Sequence, residues 1–253
     1  MQKSIFFLFR PAEKKLKYEK GDGKTTPVES GDNDSEESSD DDIKDSDSDS
    51  STPIDDMLSI KIDEKEYKIS GFIGSGSSGK VYRVTDEDGK FFALKETKSD
   101  DVEELICQEY AFLKRLDHPS IVHAIGCTKS ESYFYFVMDL ITVDDYPQDK
   151  NESDIRDLLF KLLEALELIH LENIVHCDIH SGNILYNRRN FIIIDFGCNY
   201  GLIQKDLTDM ATFFYNILEE NKITSPNSVA FIKCLENEYS PDKARESWKL
   251  ENL

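Results

Sequence analysis

Long apolar runs are missing from this chain of 253 residues, and no segment nears the roughly 20 consecutive apolar residues that a membrane-crossing helix needs. The pattern therefore predicts no membrane span. The apolar stretch Ile5 to Phe9 is too short for a signal-peptide core and is closed by Arg10-Pro11. It reads equally as a docking peptide or as an apolar remnant of an unfolded segment. Cysteine is sparse and unpatterned: Cys107, Cys127, Cys177, Cys198 and Cys234 are odd in number, and no pair has metal-ligand spacing. Reduced thiols in an intracellular protein, cytoplasmic or nuclear, follow from that reading. Basic residues are outnumbered, 30 Lys and Arg against 51 Asp and Glu, for a net charge of −21. Phosphate contacts need a basic surface, so nucleic acid is not expected as a partner. No internal repeat is present.

The acid is concentrated first in a tail. Glu29 to Asp56 holds thirteen Asp or Glu against the single base Lys44, among Ser, Gly and Pro. Such a segment cannot bury enough apolar surface to offset its ordering entropy, so residues 1–57 are expected to be disordered. Residues 58–253 remain as one domain, large enough for a real core. That part is acidic too, with 35 acids and 22 bases, net −13. Such a body suits a basic protein partner, although an ordinary solvated surface is the commoner meaning of net charge. The sequence does not give the oligomeric state.

Loose alternation predicts strands at Glu66–Ile73 and Val81–Thr85, with Asp88-Gly89 as a hairpin signal before Phe91–Lys95. A helical period runs over Val102–Leu116 and stops at His118-Pro119, followed by strands at Ile121–Cys127 and Tyr133–Leu140. The second half changes character. Ser153-Asp154 is expected to cap a helix running to His170, and Asn183–Tyr186 and Phe191–Ile194 are short strands around a turn. Leu207–Leu218 and Asn227–Leu235 complete the helices. The expected class is α+β in two lobes. The first, about 58–141, has a five-stranded antiparallel sheet and one helix; the second, about 142–253, is mainly helical.

Gly74-Ser75-Gly76-Ser77-Ser78-Gly79 lies between two predicted strands. Glycines let the backbone approach phosphates and turn N–H groups toward an anion, although the motif alone is weak. A dinucleotide fold would need a helix after it, and here the strand Lys80 to Val84 follows. Lys95 interrupts an apolar run on the third strand, and Glu109 on the next helix is its expected partner, with Glu103 and Glu104 as substitutes. Further on stands His176-Cys177-Asp178-Ile179-His180-Ser181-Gly182-Asn183, and then Asp195-Phe196-Gly197. Two acids and an amide so spaced suit phosphoryl transfer: Asp178 to orient and deprotonate an acceptor, Asn183 and Asp195 to hold Mg²⁺ against phosphates.

The order of glycine loop, strand lysine, helix glutamate, His-Pro, His-x-Asp-x₄-Asn and Asp-Phe-Gly resembles eukaryotic-type protein kinases across roughly residues 66–240. The resemblance implies a two-lobed kinase fold with ATP and Mg²⁺ as cofactors. Ile73, Gly74, Ser75, Gly76 and Gly79 would then cover the nucleotide, and Lys95, paired with Glu109, would hold its α- and β-phosphates. Val81, Ala93 and Leu185 would sandwich the base, beside Met138 as gatekeeper. Asp139 and Ile141 would offer backbone groups to adenine, and Asp145 would take the ribose. Asp209 resembles the helix aspartate that anchors the catalytic loop. Leu113, His176 and Phe196 resemble the family's internal spine. Lys233 to Arg245 resembles its last conserved helical part.

Three departures stand out. Cys177 replaces the arginine that commonly receives a phosphorylated activation loop, and no Ala-Pro-Glu-like motif lies between Asp195 and Asp209. Control by activation-loop phosphorylation is therefore not expected. His180 stands where protein kinases usually have lysine, a pattern similar to aminoglycoside and choline phosphotransferases. Partly protonated, it would still neutralise γ-phosphate charge, though less reliably than lysine. The resulting expectation is a compact Ser/Thr protein kinase that transfers the γ-phosphate to protein hydroxyls. Its substrates would be few, or recruited through a partner or the acidic tail, whose serines are themselves candidate acceptors. A partner-binding pseudokinase scaffold and a small-molecule kinase are the alternatives. The reduced size is similar to minimal viral or bacterial-effector kinases, which act in a host cell.

Overall fold

The computed structural model describes residues 59–76, 78–98, 103–130, 132–196 and 201–237, with the side chains of 103–107 excepted. The acidic tail, the Ile5–Phe9 stretch, Ser77, Gly197 and the chain from 238 through Arg245 lie outside the described residues.

Alternating apolar residues build the first lobe. Its strands are β1 (Ser59–Ile62), β2 (Lys65–Gly76), β3 (Gly79–Thr85), β4 (Phe91–Lys98), β5 (Ala124–Lys129) and β6 (Tyr133–Asp139). They form one antiparallel sheet in the order β1-β2-β3-β4-β6-β5. Six strands stand where the pattern predicts five. The additional β1 turns into β2 through Asp63 and Glu64, both with positive φ, 47° and 67°. A two-residue hairpin turn needs that backbone, and Asn-Gly or Asp-Gly usually signals it. Asp-Glu carries no such signal.

The extra strand gives the sheet a second buried face. β1 packs beside β5, and a Cβ on Gly126 would come 2.3 Å from Asp63 Oδ2 and 3.0 Å from Ile62 Cγ2. Ile62, Tyr67, Tyr82, Leu94, Tyr135 and Val137 fill the space so enclosed, each 2 % exposed or less. On the other face, Val81, Ala93, Phe136 and Met138 join the main core that continues into the second lobe.

Helix α1 (Glu103–Leu113) ends three residues before the predicted Leu116, because the N–H groups of Arg115 and Leu116 bond only three residues back. The strand expected from Ile121 begins at Ala124 instead. Ser120 to Val122 pairs elsewhere: Ile193 N–H donates to the Ser120 carbonyl at 2.9 Å, and Val122 N–H to the Ile193 carbonyl at 3.0 Å. Ile193 belongs to β8 (Phe191–Ile193), the partner of β7 (Ile184–Tyr186) in a two-stranded sheet.

The second lobe is built on α2 (Glu152–Leu171), α3 (Ile203–Glu220) and α4 (Pro226–Asn237). The cap of α2 is Asn151 rather than Ser153: its side chain accepts the Asp154 N–H at 2.9 Å. Along α2, Ile155, Leu159, Leu162, Leu166 and Ile169 recur at helical spacing and are fully buried. Burying each such side chain stabilises by about 1.5–3 kcal/mol. They meet an aromatic group from β8, α3 and α4, in which Phe191, Phe213, Phe214 and Phe231 have ring centroids 5.3–6.3 Å apart. No helix among the described residues is long and apolar enough to cross a membrane. Among the described residues, Cys127, Cys177 and Cys234 take part in no disulfide.

If β1 is integral to the first lobe, Ile62→Ala lowers the unfolding free energy by roughly 2–5 kcal/mol, the usual cost of truncating a buried isoleucine. Urea unfolding followed by far-UV dichroism measures it, and an unchanged midpoint would show β1 to be dispensable.

Candidate active site

The site is organised from below by a carboxylate in the first turn of α3. Asp206 is fully buried. Its Oδ2 accepts the His176 N–H at 2.8 Å and its Oδ1 the Cys177 N–H at 2.7 Å, while His170 Nε2 lies 3.0 Å from Oδ2. This corrects the reading of Asp209 as the anchor. Helix α3 starts at Ile203, before the predicted Leu207, and its phase decides the matter. Asp206 shares the buried stripe with Met210 and Phe213, four and seven residues on, whereas Asp209 is ion-paired with Lys205, half exposed, on the outer side. An acid in phase with the apolar stripe was the available signal.

Asp206 holds a strained turn. Cys177 has φ 65°, a backbone that residues with a Cβ seldom adopt. Its thiol, which replaces the commoner arginine, has Gly201 packed against it: a Cβ on Gly201 would lie 2.5 Å from Cys177 Sγ. His176 is buried and accepts the Asp178 N–H at Nδ1 (3.3 Å), so Nε2 donates to the Ile194 carbonyl at 3.0 Å. Burial lowers its pKa, which agrees with this neutral tautomer. Its ring meets Phe196 at 4.8 Å, and Leu113, His176 and Phe196 are all 1 % exposed.

Beyond this turn stand the reacting-site residues. Asn183 Nδ2 donates to Asp178 Oδ2 at 2.9 Å and to the Asp178 carbonyl at 3.0 Å, which fixes the carboxylate and leaves the Asn183 Oδ1 free to face a cation. The Ile194 N–H donates to the Asn183 carbonyl at 3.0 Å, so Asn183 and Asp195 sit on adjoining backbone. His180 Nε2 lies 3.4 Å from Asp178 Oδ2. Its Nδ1 accepts the Gly182 N–H at 2.9 Å, which places the ring proton on Nε2, toward the carboxylate. A Cβ on Gly182 would come 2.7 Å from His180 Cε1, so a larger residue there would displace the half-exposed ring. The ring therefore stands beside Asp178 with its N–H side toward the carboxylate. A cation does stand nearby: Lys205, whose pKa is raised by its hydrogen bond to Asp209 and further by the charges of Asp209, Asp178 and Asp206.

The opposite wall comes from the sheet. Lys95, 4 % exposed, lies 2.7 and 3.0 Å from the two Glu109 oxygens and 2.9 Å from Asp195 Oδ1. Burial disfavours the ammonium, but the charges of Glu109 and Asp195 outweigh it and hold Lys95 above the usual lysine value. Asp195 has φ 61°, and Ser78 of the glycine loop lies 3.4 Å from its Oδ2. The loop is the β2–β3 hairpin, in register through Gly74–Val81, Ser75–Lys80 and Gly76–Gly79. Gly79 has φ 127° and lies against β4, where a Cβ would come 2.1 Å from the Glu96 carbonyl oxygen. Thr97 Oγ1 donates to the Ser78 carbonyl at 2.8 Å, fixing the loop base to the strand that carries Lys95.

Between these walls, Val81, Ala93, Met138 and Leu185 belong to one core cluster, with Ile73 and Ile141 packed against it. Ala93 and Met138 are register partners. The Asp139 N–H donates to the His123 carbonyl at 3.0 Å, so it is not the group offered to a base. Asp145 is exposed beside Asp144, which pairs with Arg188 at 2.8 Å. For a bound nucleotide the fit is good: an apolar slot, a glycine hairpin and a buried lysine. For a divalent ion, Asn183 and Asp195 offer two hard oxygen ligands, as Mg²⁺ shared with phosphates requires.

A family model described as "Protein kinase domain" matches residues 67–224. The chain is 30 % identical over 182 residues to the probable serine/threonine-protein kinase mps1 of Dictyostelium discoideum, covering 67 % of this chain and 18 % of that protein. It is 31 % identical over 147 residues to tyrosine-protein kinase Fer of Homo sapiens, covering 54 % and 18 %. It is also 31 % identical over 139 residues to mitogen-activated protein kinase kinase kinase 1b of Physcomitrium patens, covering 50 % and 18 %. The chain thus spans less than a fifth of each of these relatives.

The two aspartates of α3 are separable by mutation. Asp206→Ala strips a buried turn of its acceptors and costs about 2–4 kcal/mol, whereas Asp209→Ala removes a partly exposed ion pair and costs at most about 1 kcal/mol. Thermal unfolding of the two variants side by side measures the contrast, and equal losses would return the anchoring role to doubt.

Proposed function

The chain belongs to the protein kinase family, and on that premise we propose that it is an ATP- and Mg²⁺-dependent Ser/Thr protein kinase whose activity does not depend on activation-loop phosphorylation. The observation that carries this reading is Lys95 held between Glu109 and Asp195, in a site that also holds Asp178 oriented by Asn183. ATP with Mg²⁺ brings the transferable phosphoryl group and the charge neutralisation it needs. The chain's own residues position and polarise. Lys95 steadies the α- and β-phosphates, the glycine hairpin covers them, and Asn183 and Asp195 hold the metal. Asp178 receives the acceptor hydroxyl proton, with Asn183 holding its Oδ2 and His180 beside the same oxygen. Catalysis of this kind is mostly placement and charge stabilisation.

Independence from a phosphorylated loop is supported by Cys177 in the arginine's place, packed under Gly201. It is also supported by the short run from Asp195 to the buried Asp206. That run leaves a trimmed platform for a peptide, so the proposed protein substrates are few, or are brought by a partner or by the acidic tail. The proposed domain is 58–253, with 1–57 as a disordered tail, and the proposed location is intracellular.

Incubation with γ-labelled ATP, Mg²⁺ and a generic protein acceptor tests the reading, followed by phosphoamino-acid analysis. The wild type is expected to label serine and threonine. Asp178→Asn should lose roughly 10²–10⁴-fold in rate, the usual worth of a positioned base, and a chelator should abolish transfer. Label on a small-molecule acceptor alone, or nucleotide binding with wild type and variant equally inert, would replace it with the small-molecule or scaffold reading.

A further inference from the structure

Between the sheet and α2, the stretch from Leu140 to Lys150 has no regular structure. Its course is nevertheless fixed against β7, the strand that follows the catalytic loop. In the β7–β8 pair, β8 meets Ser120–Val122 on its outer side, whereas the outer edge of β7 carries carbonyls that need donors of their own when partly buried. The Ile184 and Tyr186 carbonyls, two residues apart, lie on the same edge of β7. The Asp144 N–H donates to the Tyr186 carbonyl at 2.8 Å. The Tyr146 hydroxyl donates to the Ile184 carbonyl at 2.6 Å and also to the Ser181 carbonyl at 2.7 Å, one proton shared between two acceptors. Those two carbonyls bracket Gly182 and Asn183. The Tyr146 ring is held edge-on to Phe191 and Phe213, both with centroids 5.8 Å away, so the hydroxyl has little freedom to leave.

We infer that Tyr146 is a positioning residue for Asn183. Its hydroxyl fixes the backbone on both sides of the proposed metal ligand and couples it to the neighbouring segment that carries Asp145. The inference rests on the proposed kinase reading for its consequence, but not for the contact itself. Without the hydroxyl, two carbonyls lose their donor and Ser181–Asn183 gains freedom. The Asn183 amide must then be ordered when the metal binds, and the metal requirement rises.

Tyr146→Phe isolates the hydroxyl, because the ring packing against Phe191 and Phe213 is retained. Two measurements on the full chain distinguish the contact from the chemistry. Hydrogen exchange at the Gly182 and Asn183 amides, which donate to His180 Nδ1 and the His180 carbonyl, is expected to quicken by about tenfold, the scale of one lost hydrogen bond. The Mg²⁺ concentration giving half-maximal binding of a fluorescent ATP analogue is expected to rise by a similar factor of about ten, with affinity in the absence of Mg²⁺ unchanged. Unchanged exchange would overturn the inference, as would a variant that fails to fold, since the hydroxyl would then support the lobe rather than the loop. If exchange quickens while the wild type shows no Mg²⁺-dependent nucleotide binding, the positioning contact stands and the kinase reading falls.

Discussion

A single buried carboxylate sets the geometry of the second lobe. Asp206 has no exposed surface, so it must be met by donors, and those it meets are two successive backbone N–H groups and a histidine. The N–H groups belong to a turn that bends through Cys177 at φ 65°. A left-handed conformation at a residue with a Cβ costs of order 1–3 kcal/mol, and charge-assisted hydrogen bonds of about 1.5–3 kcal/mol each are sufficient to hold it. The carboxylate also lies in the first turn of α3, where the helix dipole favours a negative charge. The start of α3, the strained turn and Asp178 are therefore one unit. Because α3 is fixed in this way, the chain between Asp195 and Asp206 has few residues with which to build anything else, and Gly201 is drawn down onto the Cys177 thiol.

The second constraint is the charge group at Lys95, placed by strand register. One ammonium stands between two carboxylates, so the triad carries an excess negative charge in a largely buried place. Burying charge is tolerated only where partners compensate for it, and here compensation is incomplete within the protein. In the proposed reading, the divalent ion at Asp195 supplies the missing positive charge, and the phosphates supply a counter-charge for Lys95. The glycine hairpin, fixed at its base through Thr97 and Ser78, closes over the same carboxylate. The sheet face bearing Lys95 can be this polar because its apolar load is shared with the other face, which β1 encloses.

What could be read in the sequence divides along physical lines. Lys95 is legible because it interrupts an apolar strand run, and Glu109 because it lies nine residues before His118-Pro119 on the next helix, while Glu103 and Glu104 stay open as substitutes until the fold brings Glu109 onto the lysine. The Asp178–Asn183 pair was legible because both lie in one short loop. Strand β1 was not, because its turn uses Asp63-Glu64, with neither glycine nor asparagine to mark a positive φ. Asp206 was displaced to Asp209 because the start of α3 was placed late, and an error of a few residues changes which side of a helix faces the core. Ser153-Asp154 has the residue types of a cap for α2, but Asn151, two residues before Ser153, makes the bond. Tyr146 had no signal at all. It lies in an irregular stretch, and its role depends on carbonyls that become neighbours only after folding.

The acceptor is constrained by charge more than by shape. Residues 58–253, net −13, and residues 1–57, net −8, have the same sign. A second molecule's tail approaching the site is repelled until it comes within a Debye length, about 8 Å at physiological ionic strength, while a basic segment is attracted over the same range. On the proposed kinase reading, charge therefore favours a basic protein acceptor and disfavours transfer between copies. Lys205 responds to the same excess of acid: its pKa is raised chiefly by its hydrogen bond to Asp209 and further by the charges of Asp209, Asp178 and Asp206.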